Sequence, residues 1–313
     1  MQSRILDFIN GGPGNFEELA MEVFVFQRDH NPVYRAYCDR QPKVTGWKDI
    51  PAVPTSAFKH FPIACFPIEE AVAVFHTSGT THENTGKHYF KTLELYEAAI
   101  RLNFEAHLKP GNLPAMSLIP PGPHSSLAHM ISVVAPHAQP FRSDVNEPVL
   151  LLGTAFAFVN LFDQDVRLKL PPGSLAMETG GYKGRSREVS KRELYRLFRE
   201  RLGVVDVVNE YGMTELSTQF YDQTLNVGQQ SDVKDVPPWS RVLVIDPNTG
   251  KEAALGEAGL IRVFDLANLW SSMCIQTEDL GVAHANGKFE ILGRAAGAEV
   301  RGCSLNAETL LKQ

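Results

Sequence analysis

The chain has no stretch of about 18 consecutive apolar residues, the length a membrane-crossing helix needs, so no membrane span is expected. It holds only four cysteines in 313 residues, Cys38, Cys65, Cys274 and Cys303, and no two stand at Cys-x-x-Cys spacing. That argues against a disulfide framework or a zinc site and fits thiols kept reduced in a cytoplasm. The ten histidines include no His-Glu-x-x-His pair, so no metal is implied beyond one a nucleotide would bring. A Gly-x-Ser-x-Gly elbow is missing, which disfavours a serine hydrolase. Positive charge is not in excess: 30 Lys and Arg stand against 36 Asp and Glu, a net charge of −6. A non-specific nucleic-acid binder is usually basic, so no nucleic-acid partner is expected. The opening MQSRILDFINGG is too short and too polar for a secretory signal.

What is present has the order of an α/β protein. Residues 15–29 read as an amphipathic helix, with Asn15 as cap, Glu18 three residues on, and Leu19, Val23 and Phe26 on one face. Residues 41–67 are rich in proline and aromatics and predict an ordered, irregular crossing. Short apolar strands are expected at 71–75, 115–119, 174–177 and 204–208. Helices are expected at 92–108, 125–134 and from Ser190, with Glu193, to about residue 202. Alternating strands and helices require a mostly parallel sheet. After about Trp239 the pattern turns to hairpins: 241–245, the DPNTG turn, 259–264, and the HANG turn before 288–292. The expected division is an α/β core over 1–238 and a small β-rich subdomain over 239–313, antiparallel or barrel-like.

Three segments carry chemistry. The first, HTSGTTHENTGKHYF at 76–90, follows an apolar strand. A Ser/Thr/Gly loop there can turn backbone N–H groups and hydroxyls inward, making a nest for phosphate oxygens; the plain alternative is a solvated turn. The second, NEYGMTE at 209–215, lies at a strand end, where α/β folds place ligands. Tyr211 offers a flat face to a purine, Thr214 a hydroxyl, and Glu215 a carboxylate suited to magnesium; the plain alternative is a capped turn. The third, QTEDLGVAHANGKFEILGRAAG at 276–297, places Asp279 before a glycine turn, where a carboxylate can accept both ribose hydroxyls. Arg294 follows a hairpin and can reach back over such a site.

Together and in this order, the segments resemble the adenylate-forming superfamily of acyl and aryl ligases. HTSGTT is similar to its phosphate loop, EYGMTE to its YGxTE segment, and TEDLG followed by GR to its TGDLG and GR segments. ETGGY, with Gly180, Gly181 and Tyr182, sits where that superfamily keeps a glycine pair beside adenine. The resemblance implies layered, mostly parallel sheets and a reaction in which ATP and a carboxylic acid give an acyl-adenylate and pyrophosphate. It implies that Ser78, Gly79, Thr80 and Thr81 cradle the β- and γ-phosphates, Tyr211 and Gly212 cover adenine, and Thr214 meets the α-phosphate. Glu215 would bind Mg2+, Asp279 the ribose, and Arg294 would neutralise charge on the phosphates. Three departures are visible: His82 stands where a glycine is usual, Lys87 comes late, and Ala296 replaces the aspartate two positions after the arginine. Full-length members also continue beyond the Gly-Arg pair with a lysine that assists adenylation; this sequence ends at Gln313.

The acyl-protein synthetases of bacterial bioluminescence operons resemble truncated adenylating enzymes and carry the acyl group on a cysteine near their own C-terminus. EVRGCSL places Cys303 there, ten residues before Gln313. The resemblance implies Cys303 as acceptor, a fatty or other carboxylic acid as substrate, and an acyl reductase as partner. Arg301 nearby would favour the thiolate; the plain alternative is a small buried residue. Two other functions remain: a carboxylate–CoA ligase of phenylacetate type, and a catalytically silent module that binds nucleotide or acid. The apolar segment 149–162, with Gly153 and Ala157 small, is either an acyl channel or a core helix. The basic helix from Ser190 is either a partner surface or a solvated face. His124 or His129 is either near the substrate carboxylate or simply hydrogen-bonded.

Overall fold

The computed structural model describes residues 1–77, 85–180 and 189–295. The chain forms two compact units: Met1–Ala99 with Met213–Thr218 and Val233–Gln313, and Ile100–Gly212 with Gln219–Asp232.

The first unit opens with three helices, α1 (Gln2–Ile9), α2 (Phe16–His30) and α3 (Pro32–Cys38). Asn15 caps α2 as its sequence predicts, its side chain accepting from the N–H of Glu17 and Glu18; a cap of this kind is worth about 1 kcal/mol. Asn31 closes that helix and caps the next, accepting from Tyr34 N, with Pro32 at the first helical position, where a missing N–H matters least. The irregular crossing contains strand β1 (Val53–Pro54). A two-stranded hairpin follows, β2 (Ala73–His76) and β3 (Lys87–Phe90), with His76 opposite Lys87. Helix α4 (Glu94–Leu108) comes next; the unit boundary falls within it.

The second unit is the α/β layer. Its strands are β4 (Ala115–Ser117), β5 (Gln139–Pro140), β6 (Leu150–Thr154), β7 (Leu175–Thr179), β8 (Asp206–Tyr211) and β9 (Phe220–Tyr221). They pair in the order β5-β4-β6-β7-β8-β9, all parallel except the last pair. Helices α5 (Ser126–Val134), α6 (Ala155–Asp163) and α7 (Lys191–Leu197) occur between strands, the last prolonged by a π turn to Leu202 and stopped by Gly203. Phe158, Phe162, Tyr195 and Phe198 belong to the core cluster of this unit.

The segment 149–162 is a strand followed by a helix, capped by Thr154, whose hydroxyl accepts from Ala157 N at 3.0 Å. The room expected at Gly153 is taken by the Phe158 ring: a Cβ there would lie 2.7 Å from its Cε2. The segment is core, because an aromatic four residues into the helix folds back over the glycine. The charges of the basic helix are largely spent within the unit. Arg196 pairs with Glu193 and Glu200, Lys191 with Asp232, and Arg201 with Asp165.

The remaining strands return to the first unit: β10 (Val233–Lys234), β11 (Ser240–Ile245), β12 (Ala258–Asp265), β13 (Cys274–Ala283) and β14 (Phe289–Arg294). They form an antiparallel sheet in the order β10-β14-β13-β12-β11, with β1 added parallel to β13 through Val53 and Ile275. Strands β11 to β14 lie in the segment where hairpins were expected, and the sheet takes two further short strands, β1 and β10, from before residue 239. Edge-to-face contacts link Phe16 to Trp47 at 5.6 Å and Trp47 to Phe264 at 5.0 Å, seating the amino-terminal helices on that sheet.

Candidate functional site

The hairpin β2–β3 is the frame of the Ser/Thr/Gly loop. Thr77 N donates to Gly86 O at 2.9 Å, and Gly86 N donates back to the Thr77 hydroxyl at 2.8 Å. The loop is therefore closed at its base, and Thr77 uses its side chain structurally. Ser78, Gly79, Thr80 and Thr81 lie outside the described residues. Lys87 is exposed at the first position of β3.

Thr214 sits against that base. Its hydroxyl donates to His76 O at 3.3 Å, and its own carbonyl accepts from Nδ1 of His88 at 2.7 Å. His88 is 2 % exposed, between Phe58 and Phe90, with ring centroids at 5.7 and 4.2 Å. Burial pulls its pKa down to about 4, against which the carbonyl contact works weakly. The ring is neutral at physiological pH, with the proton on Nδ1 assigned by that contact. No pattern around His88 marks it as functional in the sequence; only pairing of β3 against β2 reveals what it holds.

Glu215 is buried at 8 % exposure. Its carbonyl accepts from Asn268 Nδ2 at 2.8 Å, which fixes the backbone on which its side chain stands. Among the described residues no group of three or more His, Cys, Asp or Glu is disposed to hold a metal. One carboxylate fits the way Mg2+ is commonly bound, through one or two carboxylates with substrate phosphates supplying the rest.

Asp279 and Arg294 face each other across β13 and β14, with Oδ1 3.6 Å from Nε. The aspartate side chain is 13 % exposed and the arginine 71 %. Asp279 does not precede a turn as TEDLG suggested. It lies inside a ten-residue strand, and the register shift falls after Leu280. Gly281 is needed because a Cβ there would sit 2.5 Å from Glu290 O on the neighbouring strand.

In the second unit, Gly180 and Tyr211 stand at the C-terminal ends of adjacent parallel strands, since Thr179 is level with Glu210. This is the edge where open α/β sheets take ligands. Gly180 has φ of +71°, with nothing described within 4 Å of a Cβ position. Tyr211 is half-buried, 6.3 Å from Phe220 between ring centroids. A Cβ on Gly212 would lie 2.4 Å from Glu210 Oε1, so any larger residue there needs the Glu210 carboxylate to move. Glu210 is hydrogen-bonded to the Thr179 hydroxyl. Glu178 accepts from Tyr195 at 3.0 Å and Asn209 at 2.7 Å. Sequence reasoning singled out neither carboxylate. Gly181 and Tyr182 lie outside the described residues. His124 and His129 are both engaged in interactions.

Cys303 also lies outside the described residues. The other three thiols are buried, and burial pushes Cys38 up to about 11 and Cys65 and Cys274 to about 12. Thiols of that kind carry almost no thiolate at neutral pH. Among the described residues no helix is long and apolar enough to cross a membrane.

This fold is shared with solved structures of low sequence identity. It is similar to ATP-bound MatB from Rhodopseudomonas palustris, with a TM-score of 0.52 and 18 % identity over 73 % of this chain and 49 % of that one. It is also similar to 2-hydroxyisobutyryl-CoA ligase in its postadenylation state with 2-HIB-AMP, with a TM-score of 0.66, 16 % identity, 93 % of this chain and 71 % of that one. The chain spans about half the length of MatB, and identities this low speak to the fold alone. Residues 135–311, more than half of the chain, match the acyl-protein synthetase family, LuxE. The chain belongs to that family. A curated relative is the long-chain-fatty-acid–luciferin-component ligase of Aliivibrio fischeri, 22 % identical over 352 residues, covering 95 % of this chain and 89 % of the relative.

Proposed function

We propose that this chain uses ATP to activate a fatty acid as an acyl-adenylate, takes the acyl group onto the thiol of Cys303, and passes it to an acyl reductase. The observation that carries the reading is the contact between Thr214 and the base of the phosphate loop, through His76 O and His88. Two segments far apart in sequence, each suited to phosphate, are held as one piece of the first unit.

In the first step a carboxylate oxygen of the acid attacks the α-phosphorus. The bond from that phosphorus to the bridging oxygen breaks and pyrophosphate leaves. Ser78, Gly79, Thr80 and Thr81 cradle the β- and γ-phosphates, Thr214 meets the α-phosphate, and Tyr211 with Gly180, Gly181, Tyr182 and Gly212 forms the adenine side. Asp279 takes the ribose hydroxyls. Glu215 holds Mg2+, which when bound offsets phosphate charge. Arg294, exposed and paired only loosely with Asp279, stabilises charge that develops on the α-phosphate and leaving group. In the second step the Cys303 thiolate attacks the acyl carbon, the carbon–oxygen bond of the anhydride breaks, and AMP leaves. Tethering the nucleophile to the same chain raises its effective concentration. The raised thiol pKa values of Cys38, Cys65 and Cys274 support Cys303 as acceptor, since none of the described thiols is suited to attack. In this reading 1–238 is the adenylation core, and 239–313 supplies Asp279 and Arg294 and bears the acceptor, in a cytoplasm that keeps thiols reduced.

Intact-mass spectrometry after incubation with ATP, Mg2+ and a panel of fatty acids tests this. One acyl mass should be added, released by hydroxylamine and absent from Cys303→Ala, which should still exchange pyrophosphate into ATP. A soluble thioester formed only with free CoA would make the protein a CoA ligase instead. A chain that releases no pyrophosphate with any acid is a binding module.

A further inference from the structure

The buried carboxylate of Asp265 has no part in the chemistry just described, yet it faces the segment that does. It ends β12 at 0 % exposure. Its Oδ2 accepts from Ser217 N at 2.9 Å, and its Oδ1 from the Thr218 hydroxyl at 2.8 Å and Ala267 N at 3.0 Å. The Thr218 hydroxyl in turn accepts from Trp239 Nε1 at 3.0 Å. Three residues on, Asn268 completes the grip: Nδ2 donates to Glu215 O at 2.8 Å and to Ser272 O at 3.1 Å, and Oδ1 accepts from Ser217 Oγ at 2.5 Å. Behind Asn268 stands Gln27, also at 0 % exposure, donating to Asn268 O and Leu269 O at 2.9 Å and accepting from Met273 N at 3.0 Å.

A carboxylate in an apolar interior is costly unless its oxygens are satisfied. Burial pushes Asp265 up to about 6 despite these hydrogen bonds, so near neutral pH the charged form is kept at a cost to stability. A neutral side chain of the same shape would hold a plain turn more cheaply. It would not do so equally well here, because its partners are all donors: from the loop the Thr218 hydroxyl at Oδ1 and the Ser217 N–H at Oδ2, and from its own turn the Ala267 N–H at Oδ1. Only a group that accepts through both oxygens fits.

We propose that Asp265, with Asn268, is the positioning residue of the adenylation loop: it clamps Met213–Thr218 from behind, so that Thr214 and Glu215 stand where nucleotide and Mg2+ meet them. The proposal rests on the reading of Thr214 and Glu215 given above, and its test has an arm that does not. In Asp265→Asn the amide keeps its shape, and one oxygen still accepts from Thr218 and Ala267. Its NH2 then meets Ser217 N–H, donor against donor, and the loop must shift.

Hydrogen exchange read by mass spectrometry on the full chain should show faster exchange in the peptide holding 213–218 in Asp265→Asn than in wild type, at an unchanged rate in peptides from the second unit. Pyrophosphate exchange should fall roughly 10- to 100-fold, as ångström-scale misplacement of a binding group does. The Mg2+ concentration for half-maximal rate should rise, while the melting temperature falls by no more than the few degrees that one unpaired buried donor costs. Asn268→Ala should show the same pattern more weakly, and Asp246→Asn, in an exposed turn of similar form, should show none of it. Unchanged exchange at 213–218 would overturn the clamp. Lost activity with a fallen melting temperature and an unchanged Mg2+ requirement would make Asp265 structural only. Inactive wild type with a loosened loop in the variant would leave the clamp standing and remove the adenylation reading.

Discussion

Replacing His88 by Phe should change how stability depends on pH, and the size of the effect follows from the ring's surroundings. An imidazole ordinarily titrates near 6.5; burial holds that of His88 at about 4. Stability from this group is present above 6.5 and is lost as pH falls towards 4, because the unfolded chain takes a proton that the folded chain refuses. Between pH 7 and pH 5 linkage puts the loss at about 2 kcal/mol. Asp265 works against it. Its pKa is raised from 3.8 to about 6, so the folded chain takes that proton first and gains about 1 kcal/mol over the same interval. Wild type should therefore show a shallow acid slope from these two groups. In His88→Phe the ring still fits between Phe58 and Phe90, but the Thr214 carbonyl loses its donor, worth about 1–3 kcal/mol at any pH. The His88 contribution to the slope vanishes and that of Asp265 remains. Relative to wild type, the variant should gain about 2 kcal/mol on going from pH 7 to pH 5, or roughly 4–8 °C in melting temperature at about 2–4 °C per kcal/mol. Thermal melts of both proteins at the two pH values give the comparison directly. Parallel pH dependence in the two would refute the argument, since it would mean that the ring titrates alike in the folded and unfolded chain.

Glu215→Gln keeps the backbone anchor from Asn268 and removes one charge, so it should fold normally and lose pyrophosphate exchange; normal exchange would refute the assignment of Glu215 to Mg2+. Gly212→Ala forces a methyl against the Glu210 carboxylate, and overpacking of that kind should lower stability by about 1–3 kcal/mol in urea melts. An unaffected Gly212→Ala would show that Glu210 can swing away.

Much of the fold was legible because local signals agreed with each other. Asn15 stood before a periodic apolar run and Ser190 three residues before Glu193, and each caps a helix. The turn signals after Trp239 separated strands that do pair antiparallel. The segments at 76–90 and 209–215 stood out only as an ordered set, since each alone reads as a plain turn; the structure brings Thr214 against His76 and His88. What was not legible depends on pairings between distant residues. Nothing near Val53 and Pro54 announces a strand; two residues become one only because β13 offers an edge. Asp279 looked like a turn residue because glycine follows it, whereas Gly281 serves the close approach of a neighbouring strand. His88, Asp265 and Asn268 carry no motif at all, since residues that hold a site from behind are chosen for the gap they fill.

Gln27 makes three main-chain hydrogen bonds to partners 241, 242 and 246 residues downstream. A nascent polypeptide leaving the ribosome therefore exposes its first helices long before their final partners are synthesised. Closing so long a loop adds little free energy beyond a shorter one but delays completion of the fold. An amino-terminally clipped protein would keep Thr214 and Glu215 and still lose the amide that steadies the turn around Asn268, so the proposed site would depend on the first thirty residues as well.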